Sequence, residues 1–289
     1  MDLAARPYRS VLYIPGSKKR ALEKAKTLPV DAIIFDLEDA VAVEEKANAR
    51  ALLTATLSAG GYGKRSQIVR LNGADTDWGA EDLAAIMEIG PQAVLLPKVE
   101  SAEQVASVAA TLDAHPACAE TRIWAMIETP RGVLNAEDIA AAPRMGGFVM
   151  GTNDLAKELN CRFRADRLPL QTSLQMALLA ARAAGIVCVD GVYNAFKDEA
   201  GLRQECEQGR DLGMDGKTLI HPAQVEIAND VFAPSTQEVD LARRQIAAFE
   251  EAEAKGLGVA VVDGKIVENL HIVTAKATLA KAEAIASLT

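Results

Sequence analysis

This 289-residue chain has few of the groups that signal the commoner kinds of chemistry. Its four cysteines, Cys118, Cys161, Cys188 and Cys206, are scattered and form no C-x-x-C pair. That spacing argues against a disulfide framework and reads as reduced thiols in a cytoplasmic protein. A chain of this length can bury a sizeable core without disulfide or metal staples. No apolar run approaches the ~20 residues needed to cross a bilayer. The opening MDLAARPYRS lacks the apolar stretch of a signal peptide, so no cleaved leader is expected. The phosphate-binding patterns G-x-G-x-x-G and G-x-x-x-x-G-K-[ST] are absent, and PGSKKR (15–20) is only a turn into a helix. Neither G-x-S-x-G nor H-E-x-x-H occurs, so serine-hydrolase and zincin mechanisms lose support. There are three histidines. His115 stands in a loop before Pro116, His221 before Pro222 reads as a rim hydrogen-bonder, and His271 begins the last helix.

The composition is that of a soluble globular protein, with 49% hydrophobic and 25% charged residues. A net charge of −9 argues against nucleic acid or an anionic membrane as the main partner. The charge is uneven. Residues 1–26 hold seven bases and two acids, a local excess of +5. Such a patch on an acidic protein suits a small phosphorylated ligand; solvated helix charge is the alternative.

Short apolar runs alternate with helical patterns. Strands are expected at 10–15, 31–36, 67–72, 92–97, 122–128, 147–151, 186–190 and 215–220. They are continuous Val/Ile/Leu-type runs, as strands buried on both faces require. Helices are expected at 17–28, 44–58, 80–89, 101–112, 132–141, 170–184, 197–211 and 223–230. Eight strands, each followed by a helix, predict a (β/α)8 TIM barrel over residues 1–232. A doubly wound open sheet is the rival, but it lacks its glycine fingerprint here. Residues 233–289 add a helix (236–255), a strand-like VAVV, a turn at Asp263-Gly264 and a last helix (272–287). This C-terminal helical extension either packs outside the barrel or covers its mouth as a lid.

In such a barrel the active site lies at the C-terminal strand ends. The runs end in Asp36, Glu38 and Asp39; in Arg70 and Asn72; in Lys98; in Glu128; in Asp154; in Asp190; and in His221. Any one of these could be a cap or a rim ion pair. Their convergence is harder to explain that way. Crowded carboxylates must be paired, bind a cation or take up protons. The oxygen-rich set favours Mg²⁺ over Zn²⁺. Glu128 and Asp154, at adjacent strand ends, could share one ion and leave positions for water and substrate. Asp36 is either a cap or an ion-pair partner, and Asp190 could pair with a backbone amide. Arg70 is the best anion partner, although a buried pair with Glu38 or Asp39 is equally compatible.

The runs RSVLYIPGS (9–17), DAIIFDLEDAV (31–41), VRLNG (69–73), LLPKVESA (95–102), IETPRGVLNAEDIA (127–140), MGTNDL (150–155) and GKTLIHPAQVEIANDVFAPS (216–235) resemble the citrate lyase β-subunit-like branch of the HpcH/HpaI aldolase superfamily. The match runs in order along nearly the whole chain. The resemblance implies a Mg²⁺-dependent barrel, with Mn²⁺ as a possible substitute, acting on CoA thioesters as a homotrimer or homohexamer. It places the metal carboxylates on Glu128 and Asp154, the substrate arginine on Arg70, and an acidic pair behind the metal waters on Glu38 and Asp39. It places CoA contacts on Tyr13, Lys18 and Lys24, and substrate contacts on Asn153 of the GTNDL run and on Ile220 and His221.

One departure matters. The related lyases carry a lid aspartate, where this chain has Glu268 in GKIVENLHI (264–272). That acid is one methylene longer and could act as the base for a water. The tail, with MGTNDLAKEL and DGVYNAFKDEAGL, looks most like the branch that hydrolyses (3S)-malyl-CoA to malate and CoA. The alternatives are C–C cleavage of malyl-, methylmalyl-, citramalyl- or citryl-CoA, and a non-catalytic citrate lyase-like subunit.

Overall fold

The computed structural model describes residues 6–288. Eight strands form a closed parallel barrel in sequence order. They are β1 (Ser10–Pro15), β2 (Ala32–Asp36), β3 (Ser66–Arg70), β4 (Ala93–Leu96), β5 (Arg122–Ile127), β6 (Met145–Met150), β7 (Val187–Asp190) and β8 (Gly216–Leu219), with β8 returning to β1. This is the expected TIM barrel, and every strand lies within two residues of its expected place.

The lack of polar alternation in the strands has a direct cause: both faces are buried. Val11, Ala32, Ile34, Ile68, Leu95, Trp124, Met126 and Val149 fill the barrel interior. Their neighbours Leu12, Ile33, Phe35, Val69, Val94 and Phe148 belong to a second core shared with the helices. One barrel end is filled by Trp124, whose ring meets Tyr8 at 5.1 Å between centroids. Gly147 makes room for it, since a Cβ there would lie 2.8 Å from the indole.

The barrel unit contains α1 (Lys19–Ala25), α2 (Lys46–Ala59), α3 (Gly79–Met87), α4 (Ala102–Asp113), α5 (Pro130–Leu134), α6 (Ala136–Ala140), α7 (Thr152–Glu158), α8 (Gln171–Ala184), α9 (Glu199–Leu212) and α10 (Val225–Val231). Two differences from expectation have physical reasons. The helix expected at 132–141 is two helices, broken at Asn135, whose side-chain amide donates to the Glu100 carbonyl. The segment after β6 forms α7, too short and too polar to show helical periodicity in the sequence.

The barrel unit spans Tyr8–Phe232, and the chain from Ala233 onward belongs to a second compact unit. There α11 (Thr236–Ala254) packs on α12 (Asn269–Leu288). Ser235 and Glu238 cap the start of α11 reciprocally. Between the helices β9 (Ala260–Val262) and β10 (Lys265–Val267) form an antiparallel hairpin. Its two turn residues, Asp263 and Gly264, both have positive φ (51° and 74°), the conformation of a type I′ turn. The strand β10 is an addition to the sequence reading. Phe249, Ala252, Ala260, Val267 and Ile272 make this unit's core. Among the described residues no helix is long and apolar enough to cross a membrane.

Candidate active site

Strand parity decides which polar side chains enter the barrel. Val11 and Tyr13, Ile34 and Asp36, Ile68 and Arg70, and Met126 and Glu128 are each two residues apart. The first of each pair faces the interior, so the second does too. The result is a cavity of about 290 Å³ at the C-terminal strand ends. Tyr13, Asp36, Asp39, Arg70, Glu128, Asn153, Asp154, Asn194 and Ile220 are among the residues that line it.

Arg70 is buried and heavily engaged. Its Nε and Nη2 donate to Asp36 Oδ1 and Oδ2 at 2.7 and 2.6 Å. Nη1 lies 2.7 Å from Glu38 Oε2 and 3.3 Å from Asp39 Oδ2. The Glu38 contact is an ion pair without hydrogen-bond geometry, so Glu38 Oε2 is buried with no hydrogen-bond donor. The guanidinium also stands 4.9 Å from the centre of the Tyr13 ring. Asp36 is therefore both things the sequence allowed, because its oxygens also accept the Glu38 and Ala40 N–H groups. Burial pushes the Glu38 carboxyl up to about 7, against the pull of Arg70 and with Asp39 and Asp36 adding to the rise. The turn carrying Glu38 and Asp39 is clasped by Lys46, whose Nζ donates to the Leu37 and Glu38 carbonyls at 2.9 and 2.7 Å. The sequence reading missed this lysine, which looks like any charged residue at a helix start.

Arg70 thus accounts for Asp36, Glu38 and Asp39, and with Asp190 paired elsewhere Glu128 and Asp154 are left of the six strand-end acids. Glu128 is 3% exposed. Its Oε1 accepts the Lys98 N–H at 2.8 Å. Lys98 holds a left-handed backbone (φ 47°), a conformation costing about 1–3 kcal/mol in a non-glycine residue. Burial pushes the Glu128 carboxyl up to about 7; the Lys98 bond opposes the rise and Asp154 adds to it. Glu128 lies flat over Gly151, where a Cβ would come 2.4 Å from Oε2. Asp154 stands in the first turn of α7. Among the described residues no group of three or more His, Cys, Asp or Glu side chains is arranged to hold a metal. Two carboxylates without an ion pair among the described residues fit a hard ion such as Mg²⁺, which uses one or two carboxylates and keeps several waters.

The rim beside β7 and β8 is built from amides. Asn194 Nδ2 donates to Asn153 Oδ1 at 2.9 Å, and Asn153 Nδ2 to Asn194 Oδ1 at 3.3 Å. Gln224, fully buried, accepts the Ile220 and His221 N–H groups and donates to the Tyr193 carbonyl. The backbone N–H groups after β8 are therefore already committed. His221 is a rim hydrogen-bonder, as expected: its Nδ1 accepts the Ala223 N–H, and its ring lies against Phe196. Ile220 is 41% exposed and lines the cavity.

The structure separates the residues grouped as CoA contacts. Tyr13 faces the cavity, with its hydroxyl directed at the Met126 sulfur. Lys18 caps α1 and Lys24 lies in its last turn, both exposed and neither lining the cavity. Glu268 is exposed in the second unit at the head of α12, where its N–H donates to His271 Nδ1. Asp190, of opposite parity to Val189, lies outside the cavity wall. Arg167 Nη1 reaches both its oxygens at 2.7 and 2.8 Å, Lys217 stands 3.3 Å away, and Oδ1 accepts the Gly191 N–H. Burial would raise this carboxyl, but Lys217 and Arg167 outweigh it and hold its pKa below the usual carboxylate range.

A family model described as HpcH/HpaI aldolase/citrate lyase matches residues 9–222. Over 283 residues the chain is 66% identical to a (3S)-malyl-CoA thioesterase of Cereibacter sphaeroides (strain ATCC 17025 / ATH 2.4.3), covering 98% of this chain and 97% of that protein. It is 38% identical over 288 residues to the citrate lyase subunit beta of Escherichia coli (strain K12), covering 96% and 94% respectively. The crystal structure of the protein CitE from Mycobacterium tuberculosis, in complex with magnesium, acetoacetate and coenzyme A, superimposes with a TM-score of 0.79 at 30% identity. That match covers 96% of this chain and 99% of the other. The family match over most of the barrel and these near full-length relatives agree with the strand-end motifs, and the chain belongs to the HpcH/HpaI aldolase/citrate lyase family.

Proposed function

We propose that this chain is a cytoplasmic, Mg²⁺-dependent acyl-CoA thioesterase that hydrolyses (3S)-malyl-CoA to malate and CoA. The observation that carries this reading is the 66% identity, over 98% of the chain, to a protein of that activity, joined to a cavity where Arg70, Glu128 and Asp154 converge. Glu128 and Asp154 would hold the Mg²⁺, and Mn²⁺ shares the same preference for oxygen ligands. A bound divalent cation supplies the positive charge that lets the acid end of malyl-CoA enter a cavity walled by carboxylates.

The remaining roles fall to the chain's own groups. Arg70, held by Asp36 and Glu38, presents a fixed positive charge to the acyl group without having to reorganise. Tyr13 backs the guanidinium and closes the floor with Met126. Glu38 and Asp39 fix the Arg70 edge and order water beside the ion. Asn153, Ile220 and His221 border the acyl group, and Lys18 and Lys24 meet the CoA phosphates. In hydrolysis a water attacks the thioester carbonyl and needs a base. Glu268 is proposed for that role, on a C-terminal extension that closes over a neighbouring subunit's site in a homotrimer or homohexamer. What supports this is the resemblance of GKIVENLHI to the lid of the related lyases. Glu268→Ala should lower turnover ~10²–10⁴-fold while leaving Mg²⁺ and CoA binding intact. Inactive Glu268→Ala and Asp154→Ala subunits should then complement in mixed oligomers.

A second reading is C–C cleavage to an acyl-CoA and a 2-keto acid, favoured by the 38% identity to a citrate lyase subunit. Incubation with malyl-CoA and Mg²⁺ separates the two. Malate with free CoA supports hydrolysis, whereas glyoxylate with acetyl-CoA supports cleavage. Turnover by the purified chain alone would also discard a non-catalytic subunit role, and full activity in EDTA would overturn the metal site.

A further inference from the structure

Asn194 lines two spaces. One is the cavity that holds Arg70, Glu128 and Asp154. The other is an open groove of about 500 Å³ formed by Asn194, Ala195, Phe196, Lys197 and Asp198. A CoA thioester whose acid end lies among the charged groups must carry its long arm out of the barrel. Its thioester carbonyl then falls between the inner cavity and the way out. Asn194 marks that junction.

Of the neutral side-chain donors around the cavity, those of Thr218 and Tyr13 are spoken for, and the Thr152 hydroxyl lines the inner cavity but not the groove. The Thr218 hydroxyl donates to the Asp190 carbonyl at 2.9 Å, and the Tyr13 hydroxyl faces the Met126 sulfur. The Ile220 N–H is bound by Gln224. The Asn153–Asn194 pair uses one N–H from each amide, and each amide has two. Asn194 therefore keeps a donor outside the pair while Asn153 fixes its orientation.

The loop that carries it is held from below. Gly191 is bound on both sides, its N–H to Asp190 and its carbonyl by Lys217 Nζ at 2.6 Å. The Tyr193 carbonyl accepts from Gln224, and the Tyr193 hydroxyl donates to Asp198. A donor fixed in this way needs little reorganisation when charge develops on a nearby oxygen. We propose that Asn194 is a catalytic residue whose side-chain N–H binds the thioester carbonyl oxygen at the junction, with the CoA arm leaving along the Asn194–Asp198 groove. In hydrolysis the water oxygen bonds to the carbonyl carbon as the carbonyl electron pair moves onto oxygen, where Asn194 donates to it. Collapse re-forms the carbonyl and breaks the C–S bond. The CoA sulfur leaves as the thiol with the proton the base took from water.

This inference rests on the acyl-CoA reading, and the test keeps the two apart. Wild-type protein with malyl-CoA and Mg²⁺ is first assayed for free thiol and for glyoxylate. No free thiol rejects the hydrolysis reading. The variants are then read on whichever product forms, because a thioester enolate places its charge on the same oxygen. Asn194→Ala and the shape-matched Asn194→Asp should each lower kcat ~10²–10³-fold, the range for losing one oxyanion donor. KM should stay within about threefold and Mg²⁺ affinity by calorimetry should be unchanged, as befits a contact made in the transition state. A kcat within about threefold of wild type in either variant, or a change confined to KM, overturns the role of Asn194. Neither product from the wild-type chain overturns both readings.

Discussion

Gly151→Ala should disable metal binding by a purely steric route. Gly151 has a negative φ (−94°), so an alanine meets no left-handed backbone there. The obstacle is Glu128. An added Cβ would lie 2.2 Å from Glu128 Cβ and 2.4 Å from Oε2. Carbon atoms rest at about 3.5–4.0 Å, so the two must part by more than ~1 Å. The Gly151 backbone cannot easily give way, because its N–H is bonded to the Ile127 carbonyl at 3.1 Å. Glu128 must move instead, straining or losing its bond from the Lys98 N–H. Overpacking of this kind costs ~1–3 kcal/mol of stability. A displacement of ~1 Å at a reacting centre costs ~10²-fold in rate. Calorimetric Mg²⁺ titration should show at least a ~10-fold loss of affinity, beside a ~10²-fold lower kcat and a cooperative melt. Gly147→Ala is the control. It overpacks Trp124, where the Cβ would lie 2.8 Å from the ring, deeper in the barrel. It should lower the melting temperature and spare Mg²⁺ affinity. Equal loss of affinity in both variants, or none in Gly151→Ala, would refute the reasoning.

Three further outcomes are expected. Read by urea melts, Asp190→Asn should cost ~1.5–3 kcal/mol at neutral pH, because Arg167 and Lys217 lose their shared acid but keep Glu205, at 3.8 and 2.6 Å. Because the folded Asp190 pKa is depressed, its contribution is complete above the unfolded value of ~3.9 and fades as pH falls through the folded one, so the variant's stability should fall less steeply with acid below about pH 4. Lys46→Met should leave the Leu37 and Glu38 carbonyls without their clasp, lowering kcat about tenfold and stability by ~1–3 kcal/mol, and unaltered kinetics would count against the clasp. Lys18→Ala with Lys24→Ala should raise KM for malyl-CoA more than it lowers kcat; since Lys24 stands about 9 Å down the helix from Lys18 at 1.5 Å per residue, the Lys18 change should carry most of the effect.

What the sequence made legible is what parity and strand order control. Continuous apolar runs announced strands buried twice over, and their spacing announced the barrel. The same period of two could have sorted the strand-end acids. Counting by twos from Ile34 places Asp36 inside, while Asp190, one residue from the inward Val189, falls on the opposite face, where it meets Lys217 and Arg167. Treated as one converging set, those acids concealed that division. Other site features leave no one-residue signal. The Lys98 N–H that holds Glu128 is backbone, available because the chain turns left-handed there. Gln224 joins two loops through one amide and resembles any polar residue after a proline. Asn194 depends on a partner forty-one residues away in sequence, a separation no local pattern reports.

The charge arrangement bears on what a bound cation would add to a cavity that already contains a guanidinium. Arg70 lies beside three acids and is bound edge-on by Asp36, so much of its charge is already offset within the wall. Glu38 and Glu128 are each pushed up to about 7, and in both burial is the largest cause. Two carboxyls that both feel Arg70 are thus still costly to ionise. A cavity so built would disfavour an anionic acyl group until positive charge is added, which is the reason for proposing the Glu128–Asp154 pair as the metal site. The neutral amides of Asn153 and Asn194 pair beside Asp154, and the exposed Asn194 also borders the open groove. On the proposed function, charged groups together with amides beside the groove would give the substrate a direction, acid end inward and CoA outward. That direction serves hydrolysis and carbon–carbon cleavage equally well, so the choice between them must lie with the group that delivers or removes the proton.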